Sequence, residues 1–387
     1  MRKYFVVAGL AVLACMTGCG GEDSRSPVDK EFDTYVELTR NSANAEAMIR
    51  YSSEALNLWK VSRGEPIRAE LLGYRALGYY TKKELDYARE DYELVVRLAP
   101  NDAEMYSNLG RVYSDMGRYA DAEATLNRAL LLNPASFSAN FNIGFNFERQ
   151  KNLSKAYQYY GEAIRLNPHF AEAYYRRAEM LGARDEIPAA LSDYADAVRL
   201  DPKMANAYYQ RAMLLARTGY TDQAIDELTK CVSISPNNEQ AFFMRGYYYF
   251  KAGKFSKAAN DFGVVLELSP SDINAAVYRG YSYLLQDKPR YSRYDFENIV
   301  KSGRNSMLAQ LGLSVAHLRE GHPEFAVYEY HVIEKQYPSF IRPARELAAI
   351  EKYFYLKSLE ADIAEIQRRA LKSAGKAPMG ESVRLLQ

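Results

Sequence analysis

The sequence is poor in cysteine and tryptophan, with three and one among its 387 residues. Cys15 and Cys19 lie in the leading segment, so Cys231 is the only cysteine in the body of the chain. A single thiol cannot form an internal disulfide, and the fold must therefore be stabilised by packing. The sequence also lacks cysteines at metal-site spacing, a glycine-rich phosphate loop and a nucleophile elbow. We expect a protein that is not an enzyme and that holds neither a cofactor nor a metal.

The chain has almost no net charge. Its 50 basic and 49 acidic residues leave a formal charge of +1. Proteins that bind nucleic acids normally carry a clear basic surplus on one face or in one segment. We therefore expect no nucleic-acid partner.

Long apolar runs are missing, but a short one follows the positive residues Arg2 and Lys3. The run from Phe5 to Met16 is too short to span a bilayer and fits the core of a signal peptide. It ends in MTGC, closing at Cys19, which resembles the lipobox of bacterial lipoproteins. The resemblance implies that residues 1–18 are removed and that Cys19 carries the lipid. Cys15 is a second candidate, and secretion without a lipid is the alternative.

The segment after Cys19 is rich in Gly, Ser, Pro and charge, so we expect residues 19–34 to be a flexible spacer. With a lipid on Cys19, the protein would be anchored to a membrane of the bacterial cell envelope, the outer membrane being favoured. More than one acyl chain makes such an anchor stable.

Prolines recur every 34 residues through most of the chain: Pro66, Pro100, Pro134, Pro168, Pro202, Pro236 and Pro270. Most follow an apolar helix end, and proline suits the turn before a next helix. Between prolines lie two amphipathic segments, with small residues such as Gly144 and Ala156 at the eighth and twentieth positions of each unit. Small side chains allow two helices to cross closely.

This pattern resembles the tetratricopeptide repeat, whose period is 34 residues. The resemblance implies an all-α, right-handed α–α superhelix of nine helix–turn–helix units over residues 35–340. The first unit departs most from the pattern and is expected to be an N-terminal cap. An apolar stripe in residues 341–372 predicts one long helix that covers the last repeat, or alternatively a coiled-coil contact with a partner. Residues 373–387 are expected to be a disordered tail.

Two positions of the repeat vary together. Five units carry Arg at the seventh position and a carboxylate at the twenty-third, whereas units with Leu109 or Ile143 have Thr125 or Tyr159 instead. A half-buried charge needs a partner. We therefore predict five ion pairs between the two helices of a unit: Arg75 with Asp91, Arg177 with Asp193, Arg211 with Glu227, Arg245 with Asp261, and Arg279 with Asp295.

In this family the second, fifth, ninth and twelfth positions face the concave surface, so the resemblance implies an aromatic partner groove. Its residues would be Phe141, Phe145, Tyr175, Tyr209, Met213, Phe243, Tyr247, Phe250 and Tyr281. Exposed aromatic patches usually mark binding sites, although Tyr at the fifth position is common in the family.

Together these features predict a membrane-anchored scaffold that binds a protein or peptide partner in the groove. The alternative is a glycan or peptidoglycan receptor that uses the same rings. Such a receptor needs polar groups beside the aromatics, and the sequence offers only Glu179 and Arg111.

Overall fold

The computed structural model describes residues 25–303, 306–337 and 351–373, and these residues form α-helices, short 3-10 segments and turns. The chain divides into two compact units, unit 1 (Met1–Pro202) and unit 2 (Lys203–Gln387), which we describe separately. Within each unit, consecutive helices pack as antiparallel pairs.

Unit 1 holds five helix pairs and one 3-10 turn, Val61–Arg63. Its helices are α1 (Pro27–Arg40), α2 (Ala45–Asn57), α3 (Glu65–Thr81), α4 (Leu85–Leu98), α5 (Ala103–Asp115), α6 (Tyr119–Leu132), α7 (Phe137–Arg149), α8 (Leu153–Leu166), α9 (Ala171–Ala183) and α10 (Ile187–Leu200).

Unit 2 continues the pattern with four helix pairs and a C-terminal segment. Its helices are α11 (Ala205–Arg217), α12 (Thr221–Ile234), α13 (Glu239–Lys251), α14 (Phe255–Leu268), α15 (Ile273–Leu284), α16 (Pro289–Lys301), α17 (Met307–Arg319) and α18 (Pro323–Gln336). A 3-10 segment, Glu351–Leu359, precedes α19 (Glu360–Ser373).

From α4 onward, the first residues of equivalent helices are 34 residues apart. The first helices of successive pairs begin at residues 103, 137, 171 and so on, and the second at 85, 119 and 153. A backbone feature shares the period. From α3 onward, a residue one or two positions after the C-cap of each first helix has a φ between +57° and +89°, at Lys83, Gly117, Lys151, Asp185, Gly219, Gly253, Asp287 and Gly321. The left-handed conformation closes a helix and suits glycine, yet four of these residues are not glycine.

The first helix pair does not follow the period, which corrects the predicted boundary at residue 35. Ser26 caps α1 by accepting a hydrogen bond from the amide of Asp29, so helix begins inside the predicted spacer. The shift arises because a longer connection, with the 3-10 turn and Gly64 at a φ of +86°, separates α2 from α3. Pro66 lies in the first turn of α3, where its missing N–H leaves no helical bond unmade.

Small residues allow the helices of a pair to cross closely. A Cβ added to Gly110 would stand 2.5 Å from Leu126, and one added to Gly144 would stand 2.8 Å from Tyr160. Tyr160 is fully buried, as are Tyr92 and Phe262 at the equivalent position of other pairs. The core is therefore a series of large side chains from second helices that fill the space left by small residues on first helices.

The predicted covering helix is not continuous. Residues 351–359 wind as a 3-10 helix and α19 starts only at Glu360, while residues 341–350 lie outside the described part. Ile363, Ile366 and Ala370 of α19 are buried in the core of unit 2. The 3-10 segment and α19 contact different helices. α19 packs on α17 and α18, whereas Tyr355 of the 3-10 segment contacts residues of α13 and α15.

Across the residues that the structure describes, none of the helices combines the length and apolar character needed to cross a bilayer. Cys19, the signal peptide and residues 374–387 of the predicted tail lie outside the described residues.

Candidate functional site

Each of the five predicted ion pairs is present within its repeat. The shortest nitrogen–oxygen distances are 2.7 Å for Arg75–Asp91, 2.7 Å for Arg177–Asp193, 2.5 Å for Arg211–Glu227, 2.7 Å for Arg245–Asp261 and 2.5 Å for Arg279–Asp295. The carboxylates are buried, whereas the guanidinium side chains keep 14–26% of their surface exposed. Burial raises the pKa of Asp261 and Asp295 despite the arginine partners. These pairs join the two helices of a repeat.

The ninth repeat carries a carboxylate without the arginine, and the structure shows what replaces it. Glu329 accepts a hydrogen bond from the side-chain amide of Gln310, on the first helix of the same repeat. Because an amide carries no charge, burial dominates and raises the pKa of Glu329 to about 7. Gln310 therefore partly takes the place of the arginine.

A buried polar ladder joins α5 to α7 in unit 1, and the sequence analysis missed it. The Asn142 amide donates to the backbone oxygen and hydroxyl of Ser107, at 3.1 and 2.9 Å. One turn further along, Ser114 Oγ donates to Asn146 Oδ1 at 3.1 Å. Buried amides and hydroxyls of this kind are stable only when they are paired. The ladder fixes the register between two neighbouring repeats.

Glu104 stands at one end of the polar ladder. Ser138 Oγ donates to Glu104 Oε2 at 2.7 Å, while Oε1 is buried without a hydrogen-bond partner among the described residues. Burial raises the pKa of Glu104 to about 7. A single neutral donor does not offset the loss of hydration, so this carboxyl group is half protonated near neutral pH.

A charged cluster lies on the first helices α7 and α9 of unit 1. Arg176 stands between three carboxylates, 3.4 Å from Glu148, 3.2 Å from Glu172 and 3.2 Å from Glu179. Burial raises the pKa of Glu179 in spite of Arg176, and the three acids raise the pKa of Arg176. Each of these side chains keeps 20–25% of its surface exposed, so the cluster is partly open to solvent.

The three groove residues predicted in unit 1 are buried, which corrects their assignment to an open surface. Phe141 packs on Phe170 with ring centroids 4.8 Å apart, and the Arg111 guanidinium covers the Phe145 ring at 3.5 Å from its centroid. Tyr175 is 8% exposed, with its hydroxyl donating to Glu179 at 3.0 Å. Charged side chains of unit 1 thus cover the rings that were expected to face a partner.

Unit 2 carries a row of half-buried aromatic rings on its first helices. We call this row the aromatic stripe and define it as Tyr209, Phe243, Tyr247, Tyr248 and Tyr278, all of which are half-buried. Tyr247 contacts Tyr248 at 5.6 Å and Tyr278 at 5.7 Å, and Phe243 contacts Tyr278 at 6.0 Å. Tyr209 is close enough that its phenol raises the pKa of Tyr248, after burial and Tyr247. Ring contacts therefore join α13 to α15, and Tyr209 of α11 lies near enough to Tyr248 to influence its charge.

Of the six groove residues predicted in unit 2, four are half-buried and two are buried. Tyr209, Met213, Phe243 and Tyr247 remain accessible. Phe250 and Tyr281 are fully buried, which is a second correction to the predicted groove. The Tyr281 hydroxyl donates to the backbone oxygen of Leu308 at 2.8 Å, and both rings are covered by Tyr355.

Two members of the aromatic stripe escaped the sequence analysis. Tyr248 and Tyr278 occupy the tenth and sixth positions of their units, which the family pattern does not assign to the concave face. For Tyr248 the signal was the run YYYF at residues 247–250, whereas no such run marks Tyr278.

Among the described residues, no group of three or more His, Cys, Asp or Glu side chains is arranged to hold a metal ion. Cys231 is buried on α12, and burial raises the pKa of its thiol to about 11. Burial also lowers the pKa of His317, whose ring packs on Phe325.

The fold and its surfaces define an all-α protein built of consecutive helix–turn–helix repeats, with paired charges inside the repeats and half-buried aromatics on first helices of unit 2. Family models described as "Tetratricopeptide repeat" match residues 107–168 and 205–238. These matches identify tetratricopeptide repeats within the chain. Proteins of this family are scaffolds for protein–protein interaction and are typically not catalytic.

The relatives of known name are distant. The chain is 23% identical over 162 residues to the "BBSome complex member BBS4 homolog" of Drosophila melanogaster, an alignment that covers 38% of this chain and spans about a third (33%) of that relative. Among solved structures, it is similar to YrrB, described as "a TPR protein with an unusual peptide-binding site", at 22% identity, covering 49% of this chain and 97% of that chain with a TM-score of 0.41. A tetratricopeptide repeat protein from Parabacteroides merdae is 18% identical, covering 68% of this chain and 98% of that chain, with a TM-score of 0.41.

Proposed function

We propose that this protein is a membrane-anchored scaffold that binds an extended segment of a partner protein along the aromatic stripe of unit 2. The observation that carries the proposal is the continuity of the stripe. Its half-buried rings contact one another within α13 and between α13 and α15. Tyrosine rings supply a large contact area at a low cost in conformational entropy, and their hydroxyls accept and donate hydrogen bonds.

The packing of the stripe favours a protein segment over a sugar chain. Tyr278 meets Phe243 and Tyr247 edge to face, with interplanar angles of 81° and 78°. In this arrangement neighbouring rings stand nearly perpendicular to one another, whereas a sugar ring stacks on a flat, open ring face. The two polar residues that the sequence offered for sugar binding lie in unit 1, where Arg111 pairs with Asp115 at 3.5 Å and Glu179 pairs with Arg176.

The anchor is the second part of the proposal. It depends on the MTGC sequence at Cys19 and on the apolar run before it. A lipid on Cys19 would hold the repeats close to a membrane of the cell envelope, where the stripe could retain a partner. Labelling with a fatty-acid precursor tests the anchor: wild type should incorporate the label, and Cys19→Ala should not. Equal labelling of the two proteins would refute lipidation at Cys19.

Photo-crosslinking tests the stripe. A photoreactive phenylalanine analogue placed at Tyr247 in the native membrane should join the chain to one partner. The variant Tyr209→Ala/Phe243→Ala should lose most of that product, since each stacked ring contributes about 1 kcal/mol or more. The matched control is Tyr220→Ala/Tyr291→Ala, which removes two tyrosines that are 56% and 64% exposed outside the stripe.

Two results of the crosslinking experiment would contradict the proposal. If the stripe variant keeps its helical circular dichroism spectrum and still yields the crosslinked product, the stripe does not bind the partner. Loss of the product in the control variant alone would place binding elsewhere on the chain.

A further inference from the structure

The C-terminal 3-10 segment of unit 2 extends beyond the last repeat. A segment that only covered the final helix pair would contact α17 and α18, as α19 does through Ile363, Ile366 and Ala370. Tyr355 instead reaches two repeats back, to residues of α13 and α15. These are first helices, the same helices that carry the aromatic stripe.

Tyr355 continues the stripe at its end. Its ring centroid lies 4.6 Å from that of Tyr281, 5.3 Å from Phe250 and 6.3 Å from Tyr278. The contacts are tilted or edge to face, as are those between the stripe's own rings. Tyr355 is 3% exposed, and Leu356 and Leu359 are fully buried in the same core. The segment thus binds the surface in the way expected of a short aromatic and leucine-rich peptide.

We propose that residues 355–359 are an intramolecular ligand that occupies the end of the partner site in the free protein. This inference rests on the proposed binding function of the stripe. It assigns the partner a chemistry: a segment with an aromatic residue followed by leucine one and four positions later, as in Tyr355-Leu356-Lys357-Ser358-Leu359. Such a segment would displace residues 355–359 and gain Phe250 and Tyr281 as contacts. The sequence-based groove included both residues, and Tyr355 is one of the side chains that bury them.

An ion pair away from the rings holds the segment in place. Arg319 Nη2 and Nε of α17 donate to Asp362 Oδ2 of α19 at 2.8 and 3.1 Å, and Arg319 Nη1 donates to the backbone oxygen of Leu284 at 2.7 Å. Both side chains are 22–24% exposed, so loss of the pair weakens the attachment of α19 without unfolding the repeats. Asp362 therefore offers a way to loosen the segment while every ring stays in place.

A peptide supplied in trans tests the inference. The probe is a fluorescent peptide with the sequence of residues 351–373, titrated with the full chain and followed by anisotropy. In wild type the attached segment competes at an effective concentration in the millimolar range, so binding should be weak. Tyr355→Ala/Leu356→Ala should bind the probe at least tenfold more tightly, and Asp362→Asn about threefold. The matched control is Glu365→Gln, because Glu365 pairs with Arg368 and Arg369 of its own helix and its loss should leave affinity unchanged.

The probe's own sequence tests the assigned chemistry, since a peptide with alanine at the positions of Tyr355 and Leu356 should bind no variant. Equal affinity of wild type, Asp362→Asn and the double variant for the native probe would show that residues 355–359 are a permanent part of the core, and would overturn the inference. If Tyr355→Ala/Leu356→Ala loses helix content, the affinity of Asp362→Asn for the probe tests the inference by itself. If the affinities are equal, a partner could still be crosslinked to Tyr247. Failure of this inference can therefore be distinguished from failure of the proposed function.

Discussion

The contribution of the ion pair between Arg177 and Asp193 to stability can be measured against a natural reference, because another repeat of the same chain has uncharged residues at the two equivalent positions. Asp193 is buried and Arg177 keeps 24% of its side chain exposed, with bonds of 2.7 and 2.9 Å between them. Asp193→Thr leaves the guanidinium half-buried without a counter-charge. Breaking a fully buried pair costs about 3–5 kcal/mol, and the partial exposure of Arg177 reduces the expected loss to about 2 kcal/mol.

The double variant Arg177→Leu/Asp193→Thr should recover most of that loss. It reproduces the combination at Leu109 and Thr125, which occupy the same two positions of another repeat. Leucine fills the space with apolar surface and leaves no charge to desolvate, so we expect stability within about 1 kcal/mol of wild type. The interaction free energy from the double-mutant cycle should then be about 1–2 kcal/mol.

Urea unfolding of wild type, both single variants and the double variant provides the measurement, with the denaturant slope checked for constancy. Asp196→Ala is the control, because Asp196 and Arg199 pair on the surface with side chains 34% and 63% exposed. Its loss should cost less than about 0.5 kcal/mol. A double variant as unstable as the sum of the two single variants would show that the pair is not coupled, and would refute the reasoning from covarying positions.

Four further predictions follow from single sites. The raised pKa of Glu104, about 7 against a usual value near 4.5, means that its contribution to stability is complete below pH 4.5 and is lost as pH rises through 7; Glu104→Gln should flatten that part of the pH profile of the melting temperature. Lys151→Gly should raise the free energy of unfolding by about 0.5–1 kcal/mol in urea titrations, because the residue has a φ of +63°, whereas Lys151→Ala keeps a Cβ in that conformation and should give no such gain. Gly144→Ala should cost about 1–3 kcal/mol by forcing a Cβ against Tyr160, while Gly161→Ala, with its nearest neighbour at 3.8 Å, should not destabilise. Cys231 should react with a thiol reagent at pH 8 only at the rate of unfolding, and a fast reaction in the native protein would contradict its burial.

The positions of the helices could be predicted from sequence because each repeat marks its own boundaries. Pro100 and its counterparts fall in turns, and Gly144 with Ala156 marks where two helices cross. The same rule failed at the first pair, where Pro66 lies inside α3 and the period does not reach α1. A 34-residue period carries information only where several units share it, and a terminal unit has no neighbour on one side to enforce it.

The ion pairs could also be predicted, since two positions separated by 16 residues vary together within single repeats. The groove could not be predicted in full, because exposure depends on what lies over a residue. Phe145 is covered by Arg111 from the preceding repeat, and Tyr281 by Tyr355 from the C-terminal segment. Arg111 is particular to its own repeat and Tyr355 lies beyond the repeats, so a rule based on position alone assigns both rings to an open face.

The polar ladder between α5 and α7 has a consequence for cooperativity. In a linear array, stability is the sum of each repeat's own free energy and a coupling between nearest neighbours. The Arg–carboxylate pairs contribute to the first quantity, since both partners belong to one repeat. The bonds from Asn142 to Ser107 and from Ser114 to Asn146 contribute to the second. Residues 103–166 should therefore open as one cooperative block in hydrogen exchange. Repeats without such bonds should open more independently and at lower free energy.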